Sequence, residues 1–284
     1  MQNTFKLGLI GYPLGHSLSP KIHAAALKAC KLKGDYSLFP VAPDDLQEMT
    51  NLLDRLRSDK IHGFNITIPH KQNIISFLDE LTPTARVIGA VNTVYMQNGK
   101  LIGDNTDAAG FLADLHKLLT LIPHKYGNVK SALVLGAGGS ARAVAYALVN
   151  DSWAVTVAAR RVEQAHTLIA QFLNPGSRLA SIEYHATALN SIIPSLSLLV
   201  NTTPVGMFPS MNESPWPAEL PFPSNATVYD LVYNPPETKL VTDARFAGIP
   251  ATTGLGMLIE QAALSFEIWT GHKPSCADLT AAIS

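Results

Sequence analysis

The chain has 284 residues, of which 47% are hydrophobic and 15% charged, a composition that suits about two folded domains and excludes long disorder. Its 21 Lys and Arg against 22 Asp and Glu leave a formal net charge of −1, so no basic excess marks it for nucleic acid or an anionic membrane. Cys30 and Cys276 are the two cysteines, and with no Cys-x-x-Cys they read as reduced thiols in helices.

The predicted elements alternate strand and helix from the start. Phe5 to Ile10 reads as a buried strand, too short an apolar run for a secretory signal core. No uninterrupted apolar stretch is long enough to span a membrane, and a cytoplasmic protein is expected. A Gly/Pro-rich loop leads to Ser19, expected to cap a helix that opens on Pro20, runs to about Lys33 and ends at Gly34. Tyr36 to Val41 is the second strand. Leu46, Met49, Leu52, Leu53 and Leu56 then recur at helical spacing. Ile61 to Thr67 is the third strand, and Pro69 is expected to open another helix. Ala90–Gln97 and Lys100–Gly103 flank Asn98-Gly99, a strong hairpin signal. A helix follows from Asp107 to Thr120, and Leu121–Asn128 looks like a connector.

A second strand–helix series comes next. Its strands are expected near Ser131–Leu135, Trp153–Ala158, Ser181–Tyr184, Leu198–Thr202, Thr227–Leu231 and Ile249–Ala251. Helices are expected over Ala141–Val149 and Val162–Leu173, a Pro-rich loop between Val205 and Ser224, a long helix over Met257–Trp269, and a short one after Pro274. This order predicts an α/β protein with mostly parallel sheets and a boundary near residue 105.

Leu133-Val-Leu-Gly136-Ala137-Gly138-Gly139-Ser140-Ala141 fits Gly-x-Gly-x-x-Ala between a strand and a helix. Gly136 permits the tight turn, Gly138 lets backbone approach a pyrophosphate, and Ala141 allows close helix–strand packing. The free N–H groups of the helix start attract phosphate. At the end of the next strand, an NAD site places an acid for the ribose hydroxyls. This chain has Ala159-Arg160-Arg161 there, and two guanidinium groups suit a 2′-phosphate, so the expected cofactor is NADP(H).

Polar residues cluster at predicted strand ends in the first part of the chain. They are Ser17 and Ser19 in one loop, Asn65, Thr67, His70 and Lys71 after the third strand, Asn92 and Thr93 on the hairpin, and Asn105 and Asp107 beyond it. The nine histidines show no metal-ligand spacing, and no metal is expected.

These blocks, in order along nearly the whole chain, resemble the shikimate dehydrogenase family. They are the Ser-x-Ser-Pro loop, Asn-x-Thr-x-Pro-His-Lys, Ala-Val-Asn-Thr, Asn-Thr-Asp, Gly-Ala-Gly-Gly, Asn201-Thr-Thr-Pro-Val-Gly206, Tyr229-Asp-Leu-Val-Tyr233 and Gly254-Leu-Gly-Met-Leu-Ile-Glu-Gln261-Ala-Ala. The resemblance implies a substrate-binding domain of residues 1–105 completed by the C-terminal helices, 255–284, and a Rossmann-type NADP-binding domain of 106–254, with the active site in the cleft. It implies NADPH-dependent reduction of 3-dehydroshikimate to shikimate, a step in aromatic amino-acid (chorismate) biosynthesis. It places Ser17 and Ser19 on the substrate carboxylate, and Thr67, Asn92 and Asp107 on ring hydroxyls. Lys71 falls at the reacting centre, Gln261 reaches the substrate from the long helix, and Tyr233 lines the site. Thr202, Gly254 and Met257 join the cofactor contacts, although Met257 by itself reads as core. Two positions depart from the family pattern: His23-Ala24 stands where His-Asn is usual, and Ala159-Arg160-Arg161 where Asn-Arg-Thr is common.

Ketone reduction needs a hydride, which a nicotinamide supplies, and a proton for the developing alkoxide. A lysine ammonium within hydrogen-bond reach both stabilises that charge and donates the proton. Lys71 and Asp107 are therefore the expected catalytic pair, although from position alone Lys71 reads as an exposed lysine and Asp107 as a helix cap. Two alternatives remain at this point: a dual quinate/shikimate dehydrogenase using NAD or NADP, and an NADPH-binding module without turnover. The expected partner is a small molecule, with no nucleic acid or membrane, and the chain a monomer or homodimer.

Overall fold

The computed structural model describes residues 4–122, 130–172 and 178–283. The connector expected over Leu121–Asn128 lies mostly outside these residues, as does Leu173 at the end of its expected helix. Contacts group the chain into two compact units, Met1–Gly110 with Leu258–Ser284, and Phe111–Met257.

The first unit contains β1 (Thr4–Gly11), α1 (Ser19–Ala29), β2 (Lys33–Pro40), α2 (Leu46–Arg57) and β3 (Gly63–Ile66). It continues through a 3-10 turn (Asn73–Phe77), β4 (Glu80–Leu81), α3 (Pro83–Ile88), β5 (Thr93–Gln97), β6 (Lys100–Asp104) and the start of α4 (Asp107–Leu121). The sheet order is β2-β1-β3-β5-β6-β4. β1 runs parallel to β2 and β3, but β5 is antiparallel to β3 and to β6. This sheet is thus parallel-rich, as expected, with its antiparallel part at the expected hairpin, where Asn98 and Gly99, at φ 51° and 77°, fold β5 back on β6. The amphipathic α2 lays Met49, Leu52, Leu53 and Leu56 into a core with Ile10, Phe64, Ile66 and Val94.

Three local expectations fail in this unit. Ser19 is the first residue of α1, not its cap, and its N–H donates to Ser17 Oγ at 3.2 Å. α1 stops at Ala29, with Lys31 at φ 56°, and Gly34 belongs to β2 instead. A Cβ on Gly34 would lie 2.3 Å from the Phe5 carbonyl oxygen, so glycine serves strand approach there rather than a helix end. No α-helix follows Pro69. The Lys71 carbonyl accepts from Val91 N–H at 2.7 Å, which takes the acceptor that an α-helix would use four residues on, and the chain makes turns and one 3-10 segment.

The second unit contains β7 (Ser131–Leu135), α5 (Gly139–Asn150), β8 (Ala154–Ala159), α6 (Val162–Phe172) and β9 (Leu179–Glu183). After α7 (Ala186–Ile192) come β10 (Leu198–Asn201), β11 (Thr227–Asp230), α8 (Lys239–Phe246) and β12 (Ala251–Thr253). α9 (Leu255–Thr270) carries the chain into the first unit's C-terminal segment, which ends with α10 (Cys276–Ala281). α7 and α8 are helices that periodicity did not reveal. Residues 205–224 hold neither helix nor strand, as expected for the Pro-rich loop. All pairings in this sheet are parallel, in the order β12-β11-β10-β7-β8-β9, the doubly wound Rossmann-type arrangement. Its strand order reverses between β7 and β10, the place where such sheets bind ligands beyond the strand C-termini.

Candidate active site

In the first unit, Lys71 and Asp107 come together from elements 36 residues apart. Lys71 lies in the turn after β3, and Asp107 is the first residue of α4. Lys71 Nζ donates to Asp107 Oδ2 at 2.6 Å, with side-chain exposures of 13% and 5%. Such a nearly dry, charge-assisted pair is held far more firmly than a surface salt bridge. Asp107 is not the cap of its helix, because Asn105 Oδ1 takes the Ala108 N–H instead. The carboxylate is thus left to face Lys71.

Asn92, buried just before β5, completes the arrangement. Its Oδ1 accepts the Thr106 N–H at 2.8 Å, and its Nδ2 reaches Asp107 Oδ1 and Thr106 Oγ1 at 2.8 Å and Gln261 Oε1 at 3.2 Å. A backbone donor on one side and a carboxylate on the other admit a single orientation of this amide. Gln261 sits on α9, where its Nε2 donates to the Leu258 carbonyl at 2.8 Å. A Cβ on Gly110 would lie 2.8 Å from Gln261 N, so the absent side chain there lets α4 pass close to α9.

The remaining predicted residues of this unit lie around the β1 and β3 ends. Ser17 and Ser19 are joined by the bond already described, with Ser17 N–H on the Leu14 carbonyl. Thr67 N–H donates to the Ile10 carbonyl, and its methyl lies where a Gly11 Cβ would be, which places Thr67 against the loop that carries the serines. His70 is buried with Nε2 2.7 Å from the Val41 carbonyl oxygen.

The second unit holds the glycine turn. Gly136, at φ +106°, has backbone that a side chain would strain, and a Cβ there would lie 2.7 Å from Thr202 Oγ1. Gly136 and Thr202 are therefore neighbours where the strand order reverses. Thr202 donates its hydroxyl to the Leu135 carbonyl at 2.6 Å. Gly138 caps α5 without any side-chain hydrogen bond, and a Cβ built on it meets nothing within 4 Å. Ala137, Gly139 and Ser140 flank it, partly buried at the α5 start, while Ala141 is fully buried beneath. Arg160 and Arg161 are exposed directly after β8, and neither has an acidic partner among the described residues. The donor set fits a dinucleotide with an additional phosphate.

Tyr233, Gly254 and Met257 also belong to the second unit. Burial pushes the Tyr233 phenol up. Gly254 presses on the Leu231 carbonyl, and Met257 is buried in α9. The structure adds four polar residues to which sequence reasoning gave no role: Asn65, Thr93, Thr106 and Ser265, all buried behind Asn92. The signal for Ser265 was its spacing, four residues after Gln261 and so on the same helix face.

Comparison with known proteins bears on both units. Residues 9–94 match the family model of the shikimate dehydrogenase substrate binding domain, and residues 254–279 that of the shikimate 5'-dehydrogenase C-terminal domain. The chain is 40% identical over 273 residues to shikimate dehydrogenase (NADP(+)) of Shouchella clausii, covering 96% of this chain and 95% of that protein. It is similar to shikimate 5-dehydrogenase from Thermus thermophilus, solved in complex with NADP(H) and shikimate, with a TM-score of 0.84, 38% identity and 98% of each chain covered. It is also similar to quinate dehydrogenase from Corynebacterium glutamicum in complex with NAD, with a TM-score of 0.85 and 31% identity over 99% of this chain and 98% of that one.

Proposed function

The chain belongs to the shikimate dehydrogenase family, and from that premise we propose that it catalyses the reversible NADPH-dependent reduction of 3-dehydroshikimate to shikimate in aromatic amino-acid biosynthesis. The observation that carries this reading is the Lys71–Asp107–Asn92 constellation, a partly buried proton donor with its buried orienting partners. Residues 1–105 with 255–284 bind the substrate, and 106–254 bind the cofactor.

In this reading Ser17 and Ser19 hold the substrate carboxylate through hydroxyl donors. Thr67, Asn92, Asp107, Tyr233 and Gln261 orient the ring and its hydroxyls. Gly136 to Ala141 cradle the pyrophosphate, with Thr202, Gly254 and Met257 beside the cofactor, and Arg160 and Arg161 receive the 2′-phosphate. NADPH bound there supplies the hydride. Lys71 Nζ stabilises the negative charge that grows on the ketone oxygen and delivers the proton that makes it a hydroxyl. Asp107 Oδ2 keeps that ammonium aimed, and Asn92 Nδ2 fixes the other carboxylate oxygen. In the oxidation direction the same Nζ takes the proton back.

The chain works on a small molecule in the cytoplasm, as a monomer or homodimer, without nucleic acid or membrane. Its near-zero net charge supports the lack of a nucleic-acid partner, and among the described residues no helix is long and apolar enough to cross a membrane.

The test is the initial oxidation rate with shikimate and with quinate, each against NADP and NAD. A large preference for shikimate with NADP is expected. Comparable rates with quinate or NAD would move the protein to the dual-specificity reading. No activity in any pairing would leave a binding module.

A further inference from the structure

We propose that Ser265 is a positioning residue whose hydroxyl closes a ring of hydrogen bonds through the Asn92 amide and so sets the aim of Asn92 on Asp107. This rests on the roles proposed above for Asn92 and Asp107.

Ser265 is fully buried on α9, yet its Oγ meets three polar groups from three other segments. Asn65 Nδ2 of β3 lies at 3.0 Å, Thr93 Oγ1 of β5 at 2.7 Å, and Thr106 Oγ1, just before α4, at 3.0 Å. Each stands one or two residues from a site residue, namely Thr67, Asn92 or Asp107.

Counting protons gives these contacts a direction. The Asn92 amide is fixed by Thr106 N–H on Oδ1, so Nδ2 must donate to Thr106 Oγ1. The Asn65 amide is fixed likewise, because the Tyr36 hydroxyl donates to its Oδ1 and its Nδ2 donates to the Asn92 carbonyl. Ser265 Oγ therefore accepts from Asn65. Thr93 has one proton and gives it to Asn92 Oδ1 at 3.0 Å, so Ser265 must be the donor to Thr93 Oγ1, and Thr106 in turn must donate to Ser265 Oγ. The ring Asn92 Nδ2, Thr106, Ser265, Thr93, Asn92 Oδ1 uses every hydroxyl proton once, and its bonds polarise one another in the same sense. It leaves the second Nδ2 proton for Asp107 Oδ1 and Gln261 Oε1. Removing the Ser265 oxygen opens the ring and leaves the Thr106 proton only a long 3.4 Å contact to Thr93 Oγ1.

The experiment compares Ser265→Ala, Asn92→Ala and the double variant. The readouts are kcat and KM for shikimate and for NADP, shikimate binding by calorimetry, and folding by circular dichroism. Ser265→Ala should lower kcat/KM for shikimate about tenfold and leave the NADP KM unchanged. In the Asn92→Ala background the same change should cost under about twofold, because its target is gone. Thr106→Val, which opens the ring from another segment, should give the same signature even if Ser265→Ala does not fold. Wild-type kinetics in Ser265→Ala overturn the proposal, and so does an equal loss in both backgrounds. If Asn92→Ala itself keeps wild-type kinetics, the site reading fails as well. If Asn92→Ala is impaired while Ser265→Ala is not, the ring alone fails.

Discussion

Lys71 and Asp107 meet at 2.6 Å through one carboxylate oxygen, while the other oxygen of Asp107 is held at 2.8 Å by Asn92. The carboxylate is thereby gripped on both sides, and Lys71 has a fixed rather than a wandering ammonium. In the proposed role of proton donor, an ammonium held in this way loses little orientational freedom when it acts.

Lys71→Ala should lower kcat for shikimate oxidation by roughly a thousandfold, the scale of a positioned acid–base group. NADP binding, read by fluorescence titration, should stay within about twofold, since the arginines and the glycine turn lie in the other unit. A variant that keeps more than a tenth of the rate would remove Lys71 from the chemistry. Asp107→Asn should fall between this variant and the wild type, because an amide keeps a contact but not the charge.

Arg160→Ala should raise the NADP KM by about 10- to 100-fold while changing the NAD KM little. The guanidinium stands exposed at the end of β8, and among the described residues it has no acidic partner, so its charge is available to a phosphate. Steady-state titration of both cofactors at fixed shikimate makes the comparison. Equal weakening of the two would mean that Arg160 reads something other than the 2′-phosphate.

The parts of the molecule legible in sequence were those decided locally. Gly136 lies between an apolar strand and a helix, and it takes the positive φ that the tight turn between them demands. Asn98-Gly99 makes the hairpin that its residue types dictate. What was not legible depends on distant partners. Pro69 looked like a helix start, but the carbonyl that would have propagated the helix is claimed by Val91, 20 positions further along. Gly34 looked like a helix end, but the Phe5 backbone needs its missing side chain. Asp107 looked like a cap, a role that Asn105 performs two residues earlier. Behind Asn92, Gln261, Ser265 and Trp269 share one face of α9 at four-residue spacing, but the targets of Ser265 lie on three distant segments that its spacing does not reveal. Trp269 Nε1 donates to the Val94 carbonyl on the same strand that Ser265 reaches.

His23 should make the first unit acid-sensitive. Its ring is buried and stacked on Tyr36 at 4.2 Å, with Trp269 and Phe266 nearby. Neither nitrogen makes a well-formed hydrogen bond, and burial pushes the imidazole down to about 3, offset only in part by Asn65. The unfolded chain takes up this proton below about 6.5 and the folded chain does not, so stability is present above that pH and is lost as pH falls toward 3. The loss is on the order of 4 kcal/mol across the window. His23→Phe keeps the stack and removes the titration. Urea unfolding at pH 7 and pH 4.5 should give a smaller difference for the variant than for the wild type, and an unchanged difference would refute the assignment.

Asp230 should act in the opposite direction. At the end of β11 its carboxyl is fully buried, accepting from Asn201 Nδ2, Val232 N–H and Thr238 Oγ1 at 2.8, 3.0 and 2.6 Å. Burial nevertheless outweighs these bonds and pushes its pKa up to about 6. Between about 3.8 and 6 the folded chain therefore holds a proton that the unfolded chain has released, and stability falls as pH rises through that range. Above it, the buried charge costs on the order of 3 kcal/mol relative to a carboxyl with the ordinary value. Asp230→Asn preserves the shape and the acceptor for Asn201 and Val232, and the Thr238 hydroxyl can turn to accept from the new amide. This variant loses the stabilisation that the wild type gains on acidification. Its unfolding free energy should fall more steeply than that of the wild type between pH 7 and pH 4.5, the reverse of His23→Phe. The same urea series measures both, and a wild-type slope in Asp230→Asn would mean that the carboxyl is already protonated or already ionised throughout the range.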